Sequence, residues 1–142
     1  MKIKQLIKTL ILPVLLVSTA VTHANEVEIV DVKVHQAANK TWTFAVTLKH
    51  EDAGWDHYAN EWQVIAPDDK ILATRTLYHP HVNEQPFTRN TSGVEIPADI
   101  TTVRIIARDT VHGHSKTAMQ VNLKTKEVKP VMLALKKTKK KS

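Results

Sequence analysis

The chain has 142 residues with no Cys, three Gly and six Pro, the size of one ordinary domain with extensions. That excludes a multidomain machine, a disulfide-stapled miniprotein and any thiolate chemistry. The formal charge of +6 belongs to the ends: residues 1–24 carry three Lys and no acid, residues 25–123 nine basic and 13 acidic groups, and residues 124–142 eight Lys and one Glu. The middle is therefore mildly acidic, and no nucleic-acid partner is expected.

Lys2, Lys4 and Lys8 precede the apolar run Leu10 to Val17, and small residues follow up to Ala24. This order is that of a secretory signal peptide over 1–24, cleaved after Ala24. The apolar run is too short and too Pro-interrupted for a permanent spanning helix. Without a Cys there is no lipobox, so a diacyl anchor is not expected. The expectation is bacterial export, giving a periplasmic or secreted protein.

From Glu26 the hydrophobic period becomes two, with turn residues every eight to twelve positions. Val30, Val32 and Val34 mark a first strand at 27–35. Trp42, Phe44, Val46 and Leu48 alternate with Thr43, Ala45, Thr47 and Lys49 in the second, the clearest half-buried pattern in the chain. Trp62, Val64 and Ala66 mark the third, and Pro67-Asp68-Asp69-Lys70 is a turn into the fourth, 71–78. The fifth covers 87–96 with an interruption near Ser92-Gly93, the sixth holds Val103, Ile105 and Ala107, and the seventh is 117–123. Seven such strands predict an all-β, immunoglobulin/fibronectin-like sandwich over 25–123. Residues 124–142 read as a Lys-rich, solvated and disordered tail.

In such a sandwich alternate loops share one end. The loops at 50–58, 79–86 and 111–115 then meet, carrying His50, His57, His79, His81, His112 and His114, and leave His35 at the other end. His79/His81 and His112/His114 are His-x-His pairs, and in extended chain residues i and i+2 share a face. Imidazole is the commonest ligand for zinc and copper where sulfur is absent. These six His are thus candidate ligands for copper(II) or zinc. Copper(I) is disfavoured, because Met119 and Met132 lie outside these loops. Asp52, Asp56, Glu84 and Asp109 can orient the rings, and with Arg89 and Trp55 they can equally form a metal-free network that stiffens the tip. Trp55 and Tyr78 can stack on a ligand or cap the core, whereas Trp42, Phe44 and Trp62 are in strand phase and read as core.

Asp52-Ala53-Gly54-Trp55-Asp56-His57-Tyr58-Ala59, the stretch from Leu77 through His79-Pro80-His81 to Arg89, Gly93-Val94-Glu95-Ile96-Pro97 and Asp109-Thr110-Val111-His112-Gly113 resemble blocks of a small family of exported proteobacterial proteins. The resemblance covers about residues 50–114. It implies one compact exported domain, and the family carries no assigned activity.

Three functional classes remain open. The first is a periplasmic metal-binding protein serving as buffer, carrier or uptake accessory, working with a periplasmic protein partner. The second is a metal-independent adaptor or adhesion module that grips a protein or glycan through the same loops. The third is a tip that responds to pH through clustered imidazoles. An enzyme is not expected, because H-E-x-x-H, G-x-S-x-G and phosphate-cradling Gly loops are missing from the sequence. The Lys tail adds an expected weak contact with an anionic membrane surface.

Overall fold

A computed structural model describes residues 26–133. The expected signal peptide and the lysines beyond Leu133 lie outside the described residues. Alternation of apolar and polar side chains produces nine strands, and all their pairings are antiparallel. They are β1 Glu28–Gln36, β2 Trp42–Lys49, β3 Ala59–Ile65, β4 Ile71–Thr76, β5 Phe87–Val94, β6 Thr102–Asp109, β7 Gly113–His114, β8 Thr117–Asn122 and β9 Val128–Met132. One sheet has the order β1-β2-β5, and the other β4-β3-β6-β8-β9, with β7 added beside β6. The all-β sandwich class expected from the periodicity is the one observed.

Every second residue of β2 is buried, namely Trp42, Phe44, Val46 and Leu48, and these meet Trp62, Val64, Val103, Ile105, Ala107 and Val121 from the facing sheet. Trp62 and Phe44 are the largest fully buried side chains. Complete burial of each such group contributes on the order of 1.5–3 kcal/mol. The irregularity expected near Ser92-Gly93 is real: the β2–β5 register shifts between Trp42 and Phe44, opposite this stretch, and Gly93 takes a left-handed φ of 69°.

Two strands were not anticipated from the sequence. β7 is a two-residue pairing of His114 with Arg108 and of Gly113 with Asp109. β9 corrects the expectation that a solvated tail begins at residue 124. After a turn in which the Asn122 side chain accepts hydrogen bonds from the Lys124 and Thr125 amides, residues 128–132 pair with β8 from Val121↔Val128 to Thr117↔Met132. Apolar residues of this stretch are used inside the fold. Val131 and Leu133 pack on Ile65, Ile106 and Ala118, a small second cluster, and Val128 packs on the main core. The strand is hidden because it is only five residues long and carries Pro130 at its centre, a residue that argues against a strand.

The extra full-length strand changes where the chain leaves the fold. β1 begins opposite the end of β2, Glu28↔Lys49, and β9 ends opposite the start of β8. Lys116 in the loop before β8 ties the two ends of the described residues together: its N–H donates to Glu26 Oε2 at 3.2 Å, and its carbonyl accepts from Leu133 N–H at 2.6 Å. The chain thus enters and leaves at the same end of the sandwich, the end formed by the loops β2–β3, β4–β5 and β6–β8.

Candidate metal centre

Those three loops do converge, and two carboxylates at strand ends organise them. Asp52 lies just past β2 and is buried. Its Oδ1 accepts from His50 Nδ1 at 2.6 Å and from the Ala59 amide at 2.9 Å, and its Oδ2 accepts from the His81 amide at 2.7 Å. A carboxylate already accepting from two backbone amides can only accept from the ring as well. The Nδ1 proton of His50 is therefore held in place, and the lone pair of the neutral ring is on Nε2. Gln85 reinforces the join, since its side chain accepts from the His50 amide at 3.0 Å and donates to the His81 carbonyl at 2.9 Å.

Asp109, the last residue of β6 and opposite Ala59, is fully buried. Its Oδ1 accepts from the Val111 and His112 amides at 2.9 and 2.7 Å, and from His57 Nε2 and His112 Nδ1 at 3.1 Å each. Its Oδ2 is buried and has no hydrogen-bond partner among the described residues. Burial, the largest single influence, opposes ionisation of Asp109. The His112 and Val111 amides, with His112 and His50 nearby, outweigh it and hold the carboxyl below its ordinary value.

Ligand atoms of His50, His57 and Asp109 all lie within 4.8 Å of one another. The His50 and His57 rings meet edge-on at 4.9 Å, and the His57 and His112 rings are 5.0 Å apart. His50 comes from the three-stranded sheet, while Asp109 ends a strand of the other, so the cluster spans the sandwich at its tip. Bonds of 2.0–2.1 Å at tetrahedral angles place neighbouring ligand atoms about 3.3–3.4 Å apart. The 3.1 Å contacts of His57 and His112 with Asp109 are already near that spacing. These three residues could hold a metal ion, and the His112 ring lies beside that of His57.

The other expected site residues are placed differently. His79 and His81 touch, with ring centroids 4.9 Å apart, but His81 is committed elsewhere. Its ring stacks on Phe87 at 3.9 Å and its Nε2 accepts from the Arg89 guanidinium at 2.7 Å. Burial first, then Arg89 and His79, lower its pKa, against the smaller opposing effects of Glu84 and Asp52. His81 is therefore a neutral packing residue, and His79 is exposed.

His112 and His114 are parted rather than paired, because Gly113 turns the chain with a φ of 73° between them. His112 joins Asp109, while His114 lies across from Arg108. Burial and Arg108 lower the pKa of His114, with Glu61 opposing. The expectation that i and i+2 share a face required extended chain, and the turn at Gly113 removes that condition. Of the residues expected to orient rings, Asp52 does so, whereas Asp109 sits among the possible ligands themselves. Asp56 is exposed, with its carbonyl accepting from the Thr110 hydroxyl at 3.3 Å. Glu84 pairs with Arg89, at 3.5 Å. Trp55 is 68% exposed and stacks edge-on with Tyr58. Gln85 and Phe87 were missed, since an amide and a core aromatic carry no metal signal of their own.

No family model matches the chain, and no solved structure matches it. Over 97 residues it is 38% identical to a protein of Halomicrobium mukohataei named "Putative lipoprotein". That match covers 68% of this chain and 47% of the relative, so the chain spans about half the length of the protein it resembles.

Proposed function

We propose that the loop tip is a binding centre for zinc or copper(II), and that the protein is an exported metal-binding protein acting as buffer, carrier or uptake accessory. The observation that carries this reading is Asp109, fully buried with an unpartnered Oδ2, beside the imidazoles of His50 and His57. A buried carboxylate oxygen without a donor costs folding free energy, and a cation held by these groups would offset that cost. His50, with its proton fixed on Nδ1 by Asp52, has the carboxylate–imidazole arrangement that supports metal ligation. His50, His57 and Asp109 would hold the ion, and His112 would complete the shell. This nitrogen and oxygen donor set suits zinc or tetragonal copper(II).

Export is supported by the leader-like first 24 residues and by the lipoprotein name of the relative. Periplasmic placement and membership of the exported proteobacterial family belong to the same proposal. The site is read as a binder rather than a catalyst: of the hydroxyls nearest in sequence to His112 and His114, that of Thr110 donates to the Asp56 carbonyl and that of Ser115, buried, to the Val27 carbonyl.

The test is titration of residues 25–142 with zinc and copper(II) at pH 7.5 and 5.5, after elemental analysis of the purified protein. One ion per chain is expected at pH 7.5, released at pH 5.5 as the imidazoles protonate, and lost in His57→Ala and Asp109→Asn. A second reading, metal-independent adhesion through the tip, is favoured by the exposure of Trp55 and Tyr78 there. Stoichiometry below one in the wild-type chain would select it.

A further inference from the structure

Among the described residues three that are not glycine take a left-handed φ: Lys40 at 72°, Asp69 at 69° and Lys126 at 66°. The short polar side chain of an Asp tolerates this region, whereas lysine carries the full steric cost of its Cβ. Lys40 lies in the turn between β1 and β2, and Lys126 in the turn between β8 and β9, hairpin positions at which glycine or asparagine is the ordinary choice. Two lysines are thus kept where the backbone alone disfavours them. Both line one open cavity of about 630 Å³. It lies at the end of the sandwich opposite the candidate metal centre, since these turns follow Gln36↔Trp42 and Val121↔Val128. Lys124 lines it too, together with the apolar Trp42, Ile96 and Leu123. The volume is within the range of about 300–1,000 Å³ usual for small-molecule sites. No carboxylate is part of the lining: Glu95, Asp99 and Glu127, the acids nearest in sequence, are exposed and outside it. Among the described residues none of the three lysines is ion-paired. The Lys126 ammonium lies 4.2 Å from the centroid of the Trp42 ring, which fixes a positive charge against the apolar lining. In a stretch, 25–123, with more acids than bases, this unpaired cationic cluster beside apolar groups is a local exception.

We propose that this cavity binds a small amphipathic organic anion, its charged head met by Lys40, Lys124 and Lys126 and its apolar body set against Ile96 and Leu123. The charge follows from a lining with three cations and no acid, and the apolar body from the residues between them. The two lysines in left-handed turns are kept for the head group rather than for the turns. The site shares no residue with the candidate metal centre, and its test is carried out with chelator present.

Residues 25–142, which contain the complete sandwich, are titrated with decanoate in competition with the fluorescent anion anilinonaphthalene sulfonate. Decanol and inorganic phosphate serve as controls. Decanoate is expected to displace the fluorescent anion, with decanol and phosphate each weaker by about tenfold or more, because one lacks the charge and the other the apolar body. Lys40→Gly with Lys126→Gly puts a residue suited to each left-handed turn in place of the lysine. Urea unfolding should therefore show the fold retained while decanoate binding weakens by about tenfold. Lys40→Asn with Lys126→Asn, also suited to that φ, should behave alike, and Lys124→Ser should weaken binding by about threefold. Absence of decanoate binding would overturn the proposal. Decanol or phosphate binding as well as decanoate, or affinity within about twofold of the wild type in a folded double variant, would overturn it equally.

Discussion

His50 and Asp52 form a fully buried pair, 2.6 Å from ring nitrogen to carboxylate oxygen, and the same carboxylate holds the backbone of His81 on the neighbouring loop. One side chain thus sets the tautomer of a candidate ligand and joins two loops. Asp52→Asn is expected to lower metal affinity by about 10–100-fold, the usual cost of removing a carboxylate that orients a ligating imidazole. It should also destabilise the metal-free fold, because an amide nitrogen replaces one acceptor oxygen. Metal titration alongside urea unfolding separates the two effects.

The ligand assignment separates two histidines that the sequence motif joins. His112→Ala should weaken zinc binding by at least about tenfold, since it removes the group that would complete the ligand shell. His114→Ala should leave affinity within about twofold, because His114 faces Arg108 rather than Asp109. Competition against a chromophoric chelator reads both. Equal losses in the two variants would restore the paired arrangement.

Saturating metal should stabilise the fold by mass action. At one hundred times the dissociation constant the gain is about 2.7 kcal/mol. For a domain of this size that raises Tm by roughly 10–20 °C. Asp109→Asn should abolish the rise, and scanning calorimetry with and without zinc is the check.

Acid should weaken the fold through His81. Its folded pKa lies below the ordinary 6.5, chiefly from burial and then from Arg89 and His79. Between the folded value and 6.5 the unfolded chain binds more protons, so stability falls as pH drops below about 6.5 and levels off under the folded pKa. His81→Gln, which keeps an acceptor for Arg89, should flatten that part of the profile. Urea midpoints in chelator between pH 7.5 and pH 5 measure the slope.

A chain ending at Lys126 should be less stable by on the order of 3 kcal/mol, from the lost partial burial of Val128, Val131 and Leu133 and the uncovering of Ala118. Denaturant unfolding of the shortened chain tests whether β9 is integral.

Local alternation along Trp42–Leu48 and Val103–Ala107 determined the all-β class, because burying one face of a strand demands a period of two whatever the partners. The same spacing of strands and turns put six histidines into three loops at one end, which the sandwich topology preserves. Which of them gather was decided only in three dimensions. A single left-handed glycine parts His112 from His114, and Phe87 and Arg89 engage His81. The buried strand end of β6 turns Asp109 from an outlying acid into the centre of the cluster. That residues 128–132 join the fold was likewise tertiary. A five-residue strand, too short and with a Pro at its centre, pairs with β8 because its apolar groups find partners there, and it returns the chain to the tip.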